Sequence, residues 1–219
     1  MDLVVVGNAY LADWYRGHNT EIEIIPTGVD CDIHRPRSAP TVRDAFTLGW
    51  IGTSSNFGYV RMIFGELERF LDDCRDASFL MVADRRPDWW PDSNPQMRFC
   101  RWRADEEVRR IEEMDVGLMP LEESEWTRGK CSFKMLQYMA SGKPVVVSPV
   151  GMNRDVLELG DCGLAPRHTS DWYAAFEALH ADQSLRERLS RGGRAIVLDH
   201  FSTEIVAHRY AEVFSRIVS

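Results

Sequence analysis

At 219 residues the chain is long enough to bury a full core, as one large domain or two small ones. Its 44% hydrophobic and 27% charged residues are those of an ordinary soluble globular protein, and 26 basic against 34 acidic side chains leave a net charge of −8. That balance argues against a nonspecific nucleic-acid binder and against a polybasic membrane sticker, while leaving room for local basic patches.

Cys31, Cys74, Cys100, Cys131 and Cys162 are scattered, with no C-x-x-C pair. The pattern fits reduced thiols in a cytoplasm, not a disulfide framework or a zinc site. No apolar run approaches the roughly 18 residues a membrane span needs, and MDLVVVGNAY lacks the basic segment and long apolar stretch of a signal peptide. His34, His168, His180, His200 and His208 show no ligand spacing and read as structural. The expectation is a soluble, cytoplasmic protein without a metal.

In chain order, LVVVG (3–7) and EIEIIP (21–26) bracket one strand-helix-strand unit. IPTGVDCDIHRPRSAP follows, carrying prolines and a glycine, and reads as a linker or crossover. One such unit cannot cover both faces of its own strands. It either adds to the main sheet or ends a second domain whose remainder is missing, and the second reading is preferred. TLGWIG (47–52), SFLMVAD (78–84), MRFCRW (97–102), DVGLMPL (115–121), PVVVSPV (144–150) and CGLAP (162–166) come next. Most are apolar on successive residues, as strands covered on both faces are. Between them lie amphipathic stretches such as ADEEVRRIEEM, where Val108, Ile111 and Met114 recur every third residue and the acids crowd the first turn, where the helix dipole favours them. The alternation predicts an α/β fold with a doubly wound parallel sheet.

From Ser170 to Ser219 nothing reads as a strand. SDWYAAFEALHA, SLRERLSRGGRAIVLDH and STEIVAHRYAEVFSRIV have helical period. Arg191-Gly192-Gly193 is expected to soften the second of these, and a break at His200-Phe201-Ser202 leaves Ser202 as the N-cap of the third.

In GKCSFKMLQYMASGKPVVV, Phe133, Leu136 and Met139 or Ala140 share one face at helical spacing. Ser132 is placed to cap the helix start, and Gly142 to end it in the left-handed conformation. Pro144 stops the helix and Val145 to Val147 form a buried strand. A short helix is thus packed tightly on a sheet, its first turn at the carboxyl edge of DVGLMPL, the edge where open α/β sheets bind ligands. Free N–H groups near Phe133 and Lys134 offer an anion site, and Arg128, Lys130 and Lys134 make a basic spot in an acidic chain. A phosphate or diphosphate is the candidate ligand; a solvated basic loop is the plain alternative. GWIGTSSNFG spaces its glycines as Gly-x-x-Gly, so a dinucleotide fingerprint is absent.

LMPLEESEWTRGKCSFKMLQYMASGKPVVVSPVGMNRDVL resembles the signature region of group 1 glycosyltransferases (family 4), which have the GT-B fold of two Rossmann-like domains. There, two glutamates with seven residues between them lead into Ala-Met-Ala-x-Gly-x-Pro-Val-Val, and Met139 to Val146 match that end closely. IGTSSNF resembles the first donor-domain strand and loop, and RFCRWRADEEVRRIEEMDVGLMP the segment around the nucleobase. VVVGNAYLADW and IPTGVD resemble the end of the family's N-terminal domain. The resemblance implies three parts: residues 1–40, the end of an acceptor domain and a linker; 41–200, a Rossmann-like donor-binding domain; and 201–219, a C-terminal helix.

The function so implied is that of the nucleotide-sugar domain of a retaining enzyme. It would transfer sugar from a UDP- or GDP-type donor, with no cofactor, to a saccharide or lipid-linked acceptor held by the other domain, as in polysaccharide biosynthesis. The full protein could then associate peripherally with the inner face of a membrane. Donor contacts are expected from Gly52, Thr53 and Ser54, from Trp102 and Arg103 near the base, and from Arg128, Lys130, Ser132, Phe133, Lys134 and Gln137. No catalytic residue is assigned.

The pattern departs from the family's in three places. Gln137 stands where the second glutamate, thought to hold the ribose hydroxyls, would be. Gly129 stands where the first, thought to hold the transferred sugar, would be, with Glu122, Glu123 and Glu125 as candidate substitutes. Thr53, Ser54 and Ser55 replace the arginine and lysine that grip the diphosphate in many relatives, so Lys134 is expected to supply charge. The alternative function is a non-catalytic nucleotide-sugar-binding or assembly subunit.

Overall fold

Leu3–Val6 (β1) and Glu21–Ile24 (β2), joined by Ala9–Tyr15 (α1), pair in parallel as a two-stranded sheet of their own. The head therefore does not extend the main sheet. The computed structural model describes residues 3–18, 21–36, 45–91 and 93–218.

The other six apolar runs become Phe46–Ile51 (β3), Ala77–Ala83 (β4), Met97–Arg101 (β5), Val116–Met119 (β6), Val145–Val147 (β7) and Gly163–Leu164 (β8). They form one all-parallel sheet in the order β5-β4-β3-β6-β7-β8. Alternate residues along β3 and β4 feed opposite cores, which is why their sequences are apolar without a break. Leu48, Trp50, Phe79 and Met81 pack on one face against Phe57–Asp73 (α2) and Asp171–Ala181 (α7). Ile51, Leu80 and Val82 pack on the other against Glu107–Glu112 (α3), Phe133–Ala140 (α5) and Gln183–His200 (α8). Two short helices, Glu125–Arg128 (α4) and Met152–Glu158 (α6), complete the domain.

The glycines of α8 do not soften it; the helix is continuous from Gln183 to His200. A Cβ on Gly192 would stand 1.9 Å from the Asp161 carbonyl oxygen. Glycine there lets helix backbone lie directly on the turn before β8. Ser202 does cap the final helix, Thr203–Val218 (α9), its hydroxyl accepting from the Ile205 amide at 3.3 Å. Gly142 ends α5 at φ 68°, in the left-handed region.

The tail returns to the head. Ile25 is buried with Val206 and Val213 of α9, and Leu3, Val5 and Tyr210 pack against them. Arg209 donates to the Ile24 carbonyl, Arg216 pairs with Glu23, and the Val29 amide donates to Phe201 O at 2.8 Å. Arg194 of α8 donates to the carbonyls of Cys31, His34 and Ala140, which seats the connecting segment on α5.

The order of the sheet reverses direction between β3 and β6. Their carboxyl ends open a crevice, the place such sheets reserve for a ligand, and α5 begins beside it.

Candidate functional site

Ser132 precedes α5 with φ 51° and ψ 20°, the left-handed region that a serine enters at a cost of about 1–2 kcal/mol. It is the single non-glycine residue with positive φ among the described residues. The conformation turns its hydroxyl away from the helix to donate to Asn153 Oδ1 at 2.7 Å, while Asn153 Nδ2 donates to the Ser148 carbonyl. Ser132 therefore occupies the capping position without capping. Helix geometry leaves the first N–H groups without intrahelical partners. Beside this helix start lies a cavity of about 180 Å3 lined by Trp50, Asn56, Tyr59, Lys130, Phe133 and Lys134, among others.

Two amines stand at this helix start. Lys130 donates to Asn56 Oδ1 at 2.9 Å and lies over the Tyr59 ring at 5.3 Å. Its stem and head are half-buried, and burial lowers its pKa. Burial lowers that of Lys134 too; the Lys130 charge adds to the effect and the Glu107 carboxylate opposes it. Gly52 makes room for Lys134: a Cβ there would meet the Trp50 ring at 2.5 Å and Lys134 Cε at 2.9 Å.

A second cavity, about 240 Å3, shares Phe133 and Lys134 with the first and continues past Ile51, Gly52, Thr53, Asp84, Trp102, Glu107 and Gln137. Glu107 is gripped from two sides. Trp102 Nε1 donates to its Oε2 at 2.7 Å, and Gln137 Nε2 to its Oε1 at 2.6 Å. Behind Gln137 sits buried His34, 3.4 Å from the amide nitrogen, with Ser141 Oγ 3.5 Å from its other ring nitrogen.

The loop after β3 is closed on itself. Asp84, at the end of β4, accepts from the Ser54 amide at 2.6 Å and hydroxyl at 2.8 Å, which together hold its carboxyl below the usual range. Thr53 and Ser55 share a hydrogen bond at 2.8 Å, and Asn56 donates to Thr53 Oγ1 at 2.8 Å.

Of the residues singled out from sequence, Lys130, Ser132, Phe133 and Lys134 line the first cavity, and Gly52, Thr53, Trp102, Phe133, Lys134 and Gln137 the second. Ser54, Arg103 and Arg128 line neither. Arg103 pairs with Asp105, and Arg128 with Glu123. Gly129 ends α4 with no side chain to offer, while Glu125 is exposed at that helix's start. Sequence reading passed over Glu107, Asp84, Asn56 and Tyr59. Asp84 carried a usable signal, an acid at the carboxyl end of an apolar strand; Glu107 was hidden among glutamates taken as partners of the helix dipole. Asn8 was missed as well: buried at the start of α1, its Nδ2 donates to the Arg128 and Lys130 carbonyls and so ties the head to the lysine-bearing loop.

Chemically, the arrangement suits a polyanion: an uncapped helix start, two partly desolvated amines and an aromatic rim, with a carboxylate one helical turn away. Each cavity is smaller than the roughly 300 Å3 at which small-molecule pockets begin, and the two lie next to each other, with Phe133 and Lys134 lining both. Among the described residues no three His, Cys, Asp or Glu side chains gather as a metal site, and no helix is long and apolar enough to cross a membrane.

The family model described as "Glycosyl transferases group 1" matches residues 45–182. No curated protein sequence matches the chain. Among solved structures, a glycosyltransferase from Rickettsia africae superposes with a TM-score of 0.80 at 13% identity, over 100% of this chain and 64% of its own. Anabaena HepE in complex with UDP and glucose gives 0.77 at 16%, over 98% and 63%. Sucrose-phosphate synthase from Thermosynechococcus elongatus gives 0.74 at 16%, over 99% and 58%. The chain spans about three-fifths of the length of these structures. The fold is that of the C-terminal half of a GT-B molecule.

Proposed function

Because this chain belongs to the group 1 glycosyl transferases, we propose that its crevice holds a nucleoside-diphosphate sugar and serves transfer of that sugar. The diphosphate lies at the start of α5 between Lys130 and Lys134, with the base toward Trp102. The carrying observation is the diverted Ser132 hydroxyl. It leaves the helix N–H groups open beside two half-buried amines, a preorganised site for negative charge. As the bond to the sugar breaks, charge grows on the departing diphosphate, and groups already oriented toward it stabilise that state more than the ground state. By family likeness the transfer is retaining and needs no metal, and the acceptor, a saccharide or a lipid-linked saccharide, is held by a domain preceding residue 41. HepE, solved with UDP and glucose, favours a uridine donor.

One observation favours a second reading. Gly129 brings no side chain to the place of a family glutamate, and Glu123 on the same loop is engaged by Arg128 and Arg154. A subunit that binds the donor without transferring the sugar fits that loss. Calorimetry of the chain with UDP, GDP and ADP tests the site, and absence of binding to all three overturns it. Incubating UDP-glucose with the chain joined to its native upstream sequence separates the two readings: released glucose or a glycosylated product supports the enzyme, an intact donor the binding subunit.

A further inference from the structure

Among the described residues, Glu107 carries the one carboxylate hydrogen-bonded to Gln137, a turn of α5 beyond Phe133. We infer that Glu107 is the residue that selects a ribose, accepting hydrogen bonds from its vicinal 2′ and 3′ hydroxyls, with Trp102 and Gln137 as positioning residues. The inference rests on reading the crevice as a nucleoside diphosphate site.

A carboxylate has about four acceptor positions, two on each oxygen. Trp102 Nε1 fills one on Oε2 and Gln137 Nε2 one on Oε1. One position stays on each oxygen, which matches a vicinal diol that brings two donors side by side. The two donors also fix the carboxylate's orientation, and Gln137 is itself held, buried at 4% exposure with His34 behind it. Gln137 therefore acts through Glu107 and not on the ligand.

Position along the helix adds to the argument. A turn of α-helix rises about 5.4 Å, so a diphosphate on the first turn puts the adjoining ring of the nucleotide level with Gln137 and hence beside Glu107. The other carboxylate of this cavity, Asp84, is engaged by the Ser54 amide and hydroxyl of the loop after β3. Carboxylates suit a ribose chemically as well, since a hydroxyl donates more strongly to a charged acceptor.

The test is titration calorimetry with UDP, GDP and ADP, then with the 2′-deoxy counterpart of whichever binds most tightly. The parent chain is expected to prefer the ribonucleotide about tenfold, a charge-assisted hydrogen bond being that much stronger than none. In Glu107→Gln the preference should shrink to about twofold, as a neutral acceptor gives weaker bonds. Lys134→Ala should weaken both ligands equally and keep the preference, and Asp84→Asn should keep it too. Gln137→Glu sets two carboxylates against each other and should weaken the ribonucleotide, although it restores the family's glutamate. An undiminished preference in Glu107→Gln, loss of it in Asp84→Asn, or tighter ribonucleotide binding by Gln137→Glu overturns the assignment while leaving the nucleotide site standing. A parent that binds none of the three diphosphates removes the site itself.

Discussion

Two helices begin at the same crevice, and their first turns are furnished in opposite ways. Before α2, the loop 53–56 satisfies its own polar groups: Ser54 is bound by Asp84, Thr53 by Ser55 and Asn56. Before α5, the one hydroxyl able to cap is turned away to Asn153, and lysines stand where a cap would be. In a dinucleotide-binding Rossmann domain the first loop cradles the phosphates. Here Ser54 of that loop is already bound by Asp84 from the end of β4, and this carboxylate's charge opposes a phosphate there. On the proposed reading, the caps decide which of the two helix starts in one crevice takes the anion.

The prediction with the largest effect tests the open side. Lys134→Ala should weaken UDP binding roughly tenfold to a hundredfold, about 1.5–3 kcal/mol for a bond to a charged group, as calorimetry will show. An unchanged affinity would place the anion elsewhere. The same amine gives a pH dependence. Its folded pKa lies below the ordinary lysine value because of burial, so its charge is lost on raising the pH before a free lysine would lose it. UDP affinity should fall correspondingly on the alkaline side, and Lys134→Arg should flatten that fall.

Next is the strut joining the two sides. The buried Tyr138 hydroxyl of α5 accepts from the Ile51 amide at the end of β3, at 2.9 Å. Tyr138→Phe leaves that amide buried without an acceptor and should cost about 1–3 kcal/mol, read as a lower denaturant midpoint. A smaller effect comes from His34. Burial lowers its pKa, while Glu107 and Asp30 pull the other way. The unfolded chain then takes up the proton more readily than the folded one. The stability it contributes is complete above the ordinary histidine value near 6.5 and declines as pH falls through that value toward the folded pKa. His34→Gln should remove this part of the slope between melting temperatures at pH 7.5 and 5.5. Smallest of all, Asp84→Asn frees the closed loop and should leave both melting temperature and UDP affinity nearly unchanged. A marked gain in affinity would mean that the two helix starts compete for the phosphate.

The architecture was readable from the chain because it follows from periodicity. Each apolar run became a strand, and the block from Phe133 to Val147 became a helix, a left-handed stop at Gly142 and a buried strand. What the sequence concealed depends on partners far along the chain. Local rules make Ser132 a cap, and the competing acceptor that draws it off, Asn153, lies on another helix. Glu107 and Gln137 meet across 30 positions, and Asn8 and Lys130 across 122. The glycines of α8 read as a weak point, yet they serve close packing, because the contact that requires them is on the Asp161 turn. Lys130 and Lys134 were visible as charges, but not their burial.

The head and α9 share a small core in which Leu3, Val5 and Ile25 meet Val206, Tyr210 and Val213. On the ribosome these early residues emerge long before the helix that shelters them. These contacts join distant parts of the chain, whereas the sheet of residues 46–164 is built from nearer partners and can form first. Joining of head to tail is therefore a late event in biogenesis, and the Asn8 clasp on the lysine loop is completed with it.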